Sequence, residues 1–220
     1  GNFAYIDSIT EAKKVFVTDL TKTLYTVAKD VKIQVEFNPA QVKGYRLLGY
    51  ENRALKKEDF NDDKKDAGEV GSGHAVTALY EIIPAGSEET LSSVDPLKYQ
   101  KSSEQTQAAP DFKDELATVK VRYKEPQGSE SRLLVQPVKS DSRALSESSE
   151  DTRFACAVAE FGMMLRNSPE KGAGTYEQVL QLGRSAKGED EAGYRAEFLA
   201  LVEKARLLQM NGAQQDLPRF

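Results

Sequence analysis

Apolar and polar residues alternate most cleanly between Asp30 and Phe37. Val31, Ile33, Val35 and Phe37 fall on one side of that stretch, and Lys32, Gln34 and Glu36 on the other. A period of two predicts a half-buried strand, and Asn38-Pro39 ends it because proline has no N–H to give a ladder. Tyr45–Tyr50 predicts a second strand and Ala75–Ile83 a third, with Val76, Ala78, Tyr80 and Ile82 on one side and Pro84 closing it. Ala117–Tyr123 and Arg132–Val138 predict two more, joined by a turn at Gly128-Ser129. Ahead of them, Phe3–Asp7 reads as a short strand. Ser8 and Glu11 have capping-box spacing for a helix whose apolar side carries Ile9, Ala12, Phe16, Leu20, Thr23 and Val27.

Beyond a polar, serine-rich stretch at 139–150 the period becomes helical. Phe154, Val158, Phe161 and Leu165 share a face of one helix. Thr175 and Gln178 make a capping box for a second, with Tyr176, Val179, Leu180 and Gly183 inward. A third carries Tyr194, Phe198, Leu201, Val202, Ala205 and Leu208, and Asn211-Gly212 is expected to stop it. Strands without intervening helices, followed by helices, predict an α+β chain: an antiparallel sheet or sandwich over 30–140, then a small three-helix bundle over 150–212. The sheet region carries long loops at 51–74 and 85–115, with disorder expected near Ser102–Ala109.

Composition narrows the function more by exclusion than by choice. The formal net charge of -5 over 220 residues argues against a non-specific nucleic-acid binder, which needs a basic face. One cysteine excludes a disulfide framework and a cysteine-based zinc site. No apolar run approaches the ~20 residues that span a bilayer. Hydrophobic residues at 39% and charged residues at 30% fit a modest core diluted by solvated loops.

The densest carboxylates are Glu58, Asp59, Asp62, Asp63, Asp66 and Glu69. Converging oxygens suit a hard cation, which makes Asp62, Asp63, Asp66 and Glu69 metal candidates. The EF-hand pattern fails, since Lys64 takes the third position, and Lys56, Lys57, Lys64 and Lys65 interleave. A solvated loop with Asx-turns around Asn61–Asp63 is the simpler expectation. His74, the one histidine, follows Gly71 and Gly73 but lacks the Lys-Ser/Thr and helix of a phosphate loop. It is expected to bond within its own loop, with a catalytic role as the alternative. Cys156 and His74 form a conceivable thiol dyad, although an alanine-rich helix favours a buried structural thiol. Glu147, Glu150 and Asp151 suit the positive end of the next helix better than glycosidase chemistry. Met163-Met164 reads as core filler. Tyr45, Tyr50 and Tyr80 could line a polysaccharide platform but are expected to be partly core.

AKDVKIQVEFNPAQVKGYRLLGY, followed by ENRALKKEDFNDDKKDAGEVGSGHAVTALYEIIP, resembles the region after a von Willebrand factor A domain in a set of bacterial proteins. FACAVAEFGMMLRNS and GYRAEFLALVEKA resemble the end of the same region. In that likeness, residues 1–29 are a terminal strand and helix of the A domain, and the chain reads as part of a longer protein. The A domain's Asp-x-Ser-x-Ser metal motif does not occur here, so a divalent metal would belong to that domain and no site residue carries over. The resemblance implies an export-directed protein, often a lipoprotein, at the cell envelope. The function expected is a non-catalytic protein-interaction or scaffold module partnered through the A domain, with no cofactor of its own. The alternative is a hydrolase or transferase with a site around His74 and the acidic loop. Self-association through the 9–27 helix is a further expectation.

Overall fold

The structure, a computed structural model, describes residues 5–6, 8–19, 25–49, 57–88 and 112–215, with the backbone alone at 10, 18–19, 57–58 and 210–215. The fold is α+β with antiparallel sheets, in two compact units, 1–140 and 141–220. Tyr50, the 51–56 stretch of the first long loop and the 102–109 stretch lie outside the described residues, as do most of Phe3–Asp7, Leu20 and Thr23.

Among the described residues the first unit holds six strands: β1 (Thr26–Phe37), β2 (Val42–Leu48), β3 (Gly68–Gly71), β4 (Leu79–Pro84), β5 (Glu115–Lys124) and β6 (Ser131–Lys139). A four-stranded sheet runs β3-β1-β5-β6, and β2 pairs with β4 in a two-stranded sheet. All pairings are antiparallel. β3, inside the expected loop, has no sequence signal beyond four residues flanked by glycine. Residues 75–78, expected in a strand, precede β4 without regular structure.

β1 begins at Thr26, so Val27 lies in a strand and not in the expected helix. The helix is short: α1 (Ile9–Lys13), capped by Ser8 Oγ accepting from Glu11 N at 3.1 Å, then a π-helical turn over Lys14–Asp19. Ile9, Phe16 and Val17 stay exposed rather than docking on the sheet.

β1 reverses the expected sidedness at Lys32 and Ile33, while Phe37 is half-buried and Glu36 exposed as the alternation predicts. Lys32 is 2% exposed and Ile33 is 56% exposed. Register shifts between Lys29 and Lys32 mark a bulge, where Asp30 takes a φ of 53°. Asp30 tolerates the left-handed region better than a branched residue would. Its carboxylate accepts from Lys124 Nζ at 2.7 Å across the sheet. The alternation is real, but at Lys32 the polar side lies under a loop, and a period of two cannot say which side is covered.

The two sheets meet at an aromatic contact. Phe37 lies 4.4 Å from Tyr45 and 5.4 Å from Tyr80, centroid to centroid. Tyr45 and Tyr80 are thus engaged in packing and do not form an open row. Asn38 fixes the corner, its Nδ2 donating to Phe112 O and Glu115 O.

The second unit contains α2 (Glu150–Leu165), α3 (Tyr176–Ser185) and α4 (Tyr194–Gln215). Its core is Ala157, Phe161, Val179, Leu180 and Val202. Phe198 joins it, its ring 5.6 Å from Phe161 and 5.2 Å from Phe154. The inward stripe of α2 is Phe154, Ala157, Phe161 and Met164; Val158 and Leu165 are exposed. On α4, Leu199 takes the inward place expected of Leu201, and Leu208 is exposed. The capping box at Thr175 and Gln178 forms as expected. Asn167, at φ 49°, ends α2: Ser168 N donates to Met163 O and Asn167 N to Met164 O, the paired bonds of a Schellman turn. α4 passes Asn211-Gly212 and continues to Gln215, so those residues do not stop it. Gly183 allows close helix approach, since a Cβ there would sit 2.8 Å from Leu199 Cδ2.

Candidate functional site

The acidic loop is the first place to look for chemistry, and its residues turn toward the sheet. A 3-10 turn at Lys57–Phe60 drives the Phe60 ring into the core, which anchors the carboxylates after it. Asp62 Oδ1 accepts from Lys64 N at 2.9 Å, the expected Asx-turn. The Asp62 carbonyl accepts from buried Lys32 Nζ. Asp63 Oδ1 accepts from Ser131 Oγ at 2.6 Å and Arg122 Nε at 3.1 Å, and its carbonyl accepts from Lys124 Nζ at 3.1 Å. Asp59 pairs with Lys65 at 3.6 Å. The loop is therefore a strap over one face of β1, β5 and β6, held by Lys32, Arg122, Lys124 and Ser131 of that face.

The electrostatics follow from this geometry. Hydrogen bonds from Ser131 first, then Arg122, hold the Asp63 carboxyl below the usual aspartate range. The Lys124 hydrogen bond lowers Asp30, and the same bond raises Lys124. Such pairs favour the ionised forms in the folded state. Asp66 and Glu69 stay exposed. Among the described residues, no group of three or more His, Cys, Asp and Glu is placed to hold a metal ion.

His74 is exposed, in the turn after β3, where its backbone N–H donates to Gly71 O at 3.1 Å. The turn is locked by the backbone, not by the imidazole. Cys156 belongs to the other unit, and burial followed by the nearby Glu160 carboxylate pushes its thiol up. That is the reverse of what a thiolate nucleophile requires. Glu147 closes the short 3-10 turn at Leu145–Glu147, its Oε2 accepting from Ala144 N at 3.2 Å. Asp151, in the first turn of α2, pairs with Arg195 of α4, which also donates to Ala186 O at 2.6 Å and lies 4.9 Å over the Phe154 ring. The helix-end carboxylates thus serve capping and clamping.

Residues 22–208 match the family model described as "Uncharacterized protein YfbK, C-terminal". The chain belongs to this family. It is 44% identical over 205 residues to "Uncharacterized protein YfbK" of Escherichia coli (strain K12), an alignment covering 93% of this chain and 34% of that protein. The chain thus spans about a third of the curated relative it matches. No solved structure matches. The YfbK C-terminal match takes in both units and begins after α1 and the π-helical turn. Within the described residues, no helix is long and apolar enough to cross a membrane.

Sequence reasoning missed the residues that make the strap: Lys32, Arg122, Lys124 and Ser131. The one available signal was basic residues recurring at alternate positions, Lys120, Arg122 and Lys124, against a carboxylate-rich loop elsewhere in the chain. Glu160 was missed as well. Burial raises its carboxyl, and Gly174 leaves it room, since a Cβ there would collide with Glu160 Oε1. A raised carboxyl pKa disfavours the charged form in the fold, so the penalty is present above the folded value and absent below the unfolded one. Glu160→Gln is accordingly expected to raise the melting temperature at pH 7–8, with the gain fading as pH falls from the raised value to the ordinary carboxylate value and absent below it. Thermal melts at matched pH values check this, and a gain that persists at low pH would point to a different cause.

Proposed function

We propose that the chain is a non-catalytic interaction and scaffold module that accompanies a von Willebrand factor A domain in a longer cell-envelope protein. The observation that carries the reading is the fate of the chemistry-bearing side chains. Asp63 fastens a strap, the Asp62 carboxylate closes an Asx-turn, Asp151 clamps a helix, and Cys156 is a half-buried thiol of raised pKa. Residues tied into the fold in this way support positioning more than turnover. The resemblance of the chain to the region behind an A domain supports the partner, and the greater length of the curated relative leaves room for it. In this reading any divalent metal belongs to the A domain, the partners are proteins reached through it, and the protein is exported to the envelope as a lipoprotein.

The test is complementation of a strain lacking the longer protein. His74→Ala, Asp66→Asn and Glu69→Gln together remove the exposed polar groups that an enzyme site here would use. The triple variant is expected to complement as wild type does, whereas deletion of residues 22–208 is not. Loss of complementation in the triple variant, with normal protein levels, would contradict the module and favour a hydrolase or transferase.

A further inference from the structure

β6 is the strand least like its position in the sheet. Among the described residues it lies at the edge, and Leu133 is 50%, Leu134 57% and Val135 53% exposed. Successive strand residues point to opposite faces, so the apolar surface lies on both. Leu134 continues a row through Val121 to Ile33, which is also exposed. Leu133 and Val135 lie on the strap's face, in register with Arg122 and Lys120. A run that is apolar on both faces is the pattern of an interior strand, and an exposed apolar edge is a pairing template that proteins normally cover. The unit around it is thinly buried: among its described residues the buried apolar side chains are Val42, Phe60, Ile83 and Ala117.

We infer that β6 is an interior strand of the longer protein, paired along its free edge by an extended segment from the part of the same polypeptide outside these residues. Two observations choose this occupant. The curated relative has about two thirds of its length beyond the match, so chain is available. A second copy meeting β6 edge to edge would pair the backbone but leave the two apolar faces open, whereas further elements of the same protein can cover both. Pro137 has no N–H to offer, so the stretch open to pairing is Ser131–Gln136. The incoming segment would carry apolar residues on both faces opposite Leu133–Val135, and would recognise β6 through main-chain hydrogen bonds. This inference rests on the chain being one part of a longer scaffold.

The experiment is thiol labelling of Leu134→Cys in a Cys156→Ala background, in the 220-residue chain and in the longer protein, with hydrogen exchange on both unsubstituted proteins. In the longer protein, labelling of the thiol introduced by Leu134→Cys is expected to slow at least about tenfold relative to the short chain, because a covered thiol reacts only through opening. The amides of Ser131–Gln136 are expected to gain protection in parallel. Equal labelling and equal exchange in both proteins would overturn the inference. So would protection already present in the short chain, rising with concentration alongside a dimer mass, which would assign the edge to a second copy. Either result leaves the complementation test of the scaffold reading untouched, so the two can fail separately.

Discussion

Phe161→Ala is expected to destabilise the helical unit by about 3–5 kcal/mol, the range for removing a buried aromatic ring from a core. Phe161 is buried between α2, α3 and α4, edge-on to Tyr176 at 6.2 Å and to Phe198 at 5.6 Å. Alanine removes both ring contacts and leaves a cavity that Val179 and Val202, fully buried and stiff at χ1, cannot collapse to fill. Native domains have about 5–15 kcal/mol in total, so a unit of this size would be left close to unfolded. Urea denaturation followed by helical circular dichroism measures the loss. Phe161→Leu, which keeps much of the volume, should cost less than half as much. A loss under about 1 kcal/mol for Phe161→Ala would mean that the helices do not share this core.

Lys32→Glu is the second large effect, at more than about 3 kcal/mol, the cost of breaking a buried charge arrangement from one side. The substitution sets a carboxylate beside the Asp62 carbonyl and close to Asp30, where an ammonium now donates. Lys32→Met keeps the stem and removes the charge. It should cost less, since the Asp62 carbonyl still accepts from Lys65 N at 3.2 Å. The strap should be released in Lys32→Glu, seen as proteolysis at Asn61–Asp66 many times faster than in wild type. The same region should be acid-labile. Asp30 and Asp63 have lowered pKa values, so their stabilisation is complete above the ordinary aspartate value and is lost as pH falls through the lowered ones. If the Lys32→Glu strap resists protease as wild type does, Lys32 does not hold the loop, and Phe60 with the Asp63 bonds to Arg122, Lys124 and Ser131 suffices.

How far the fold could be read from the chain depended on whether the signal was local. The strand from Asp30 to Phe37, the Thr175 capping box and the three late helices were legible because period and caps lie within a few residues. The burial of Lys32 on β1 was not, because it depends on a loop about 30 residues away that brings the Asp62 carbonyl and the Asp63 carboxylate onto that face. The same non-local cause hid β3, whose four residues are a strand because β1 is beside them. On α2 and α4 the stripe was read off its true line, at Val158 and Leu201 where Ala157 and Leu199 are inward. Small and large apolar residues crowd both helices, and the pattern cannot rank them. For the candidate site, the carboxylates and His74 were visible in the sequence, but the surfaces they face were not. Asp63 became a structural anchor through Arg122 and Ser131, one from each of two strands.

The central claim is that this region holds its neighbour in place. Calorimetry of the longer protein, with and without residues 22–208, tests it most directly. The transition of the proposed A domain is expected to move to lower temperature by several degrees when the region is removed. An A-domain transition that stays at the same temperature without it would contradict the claim.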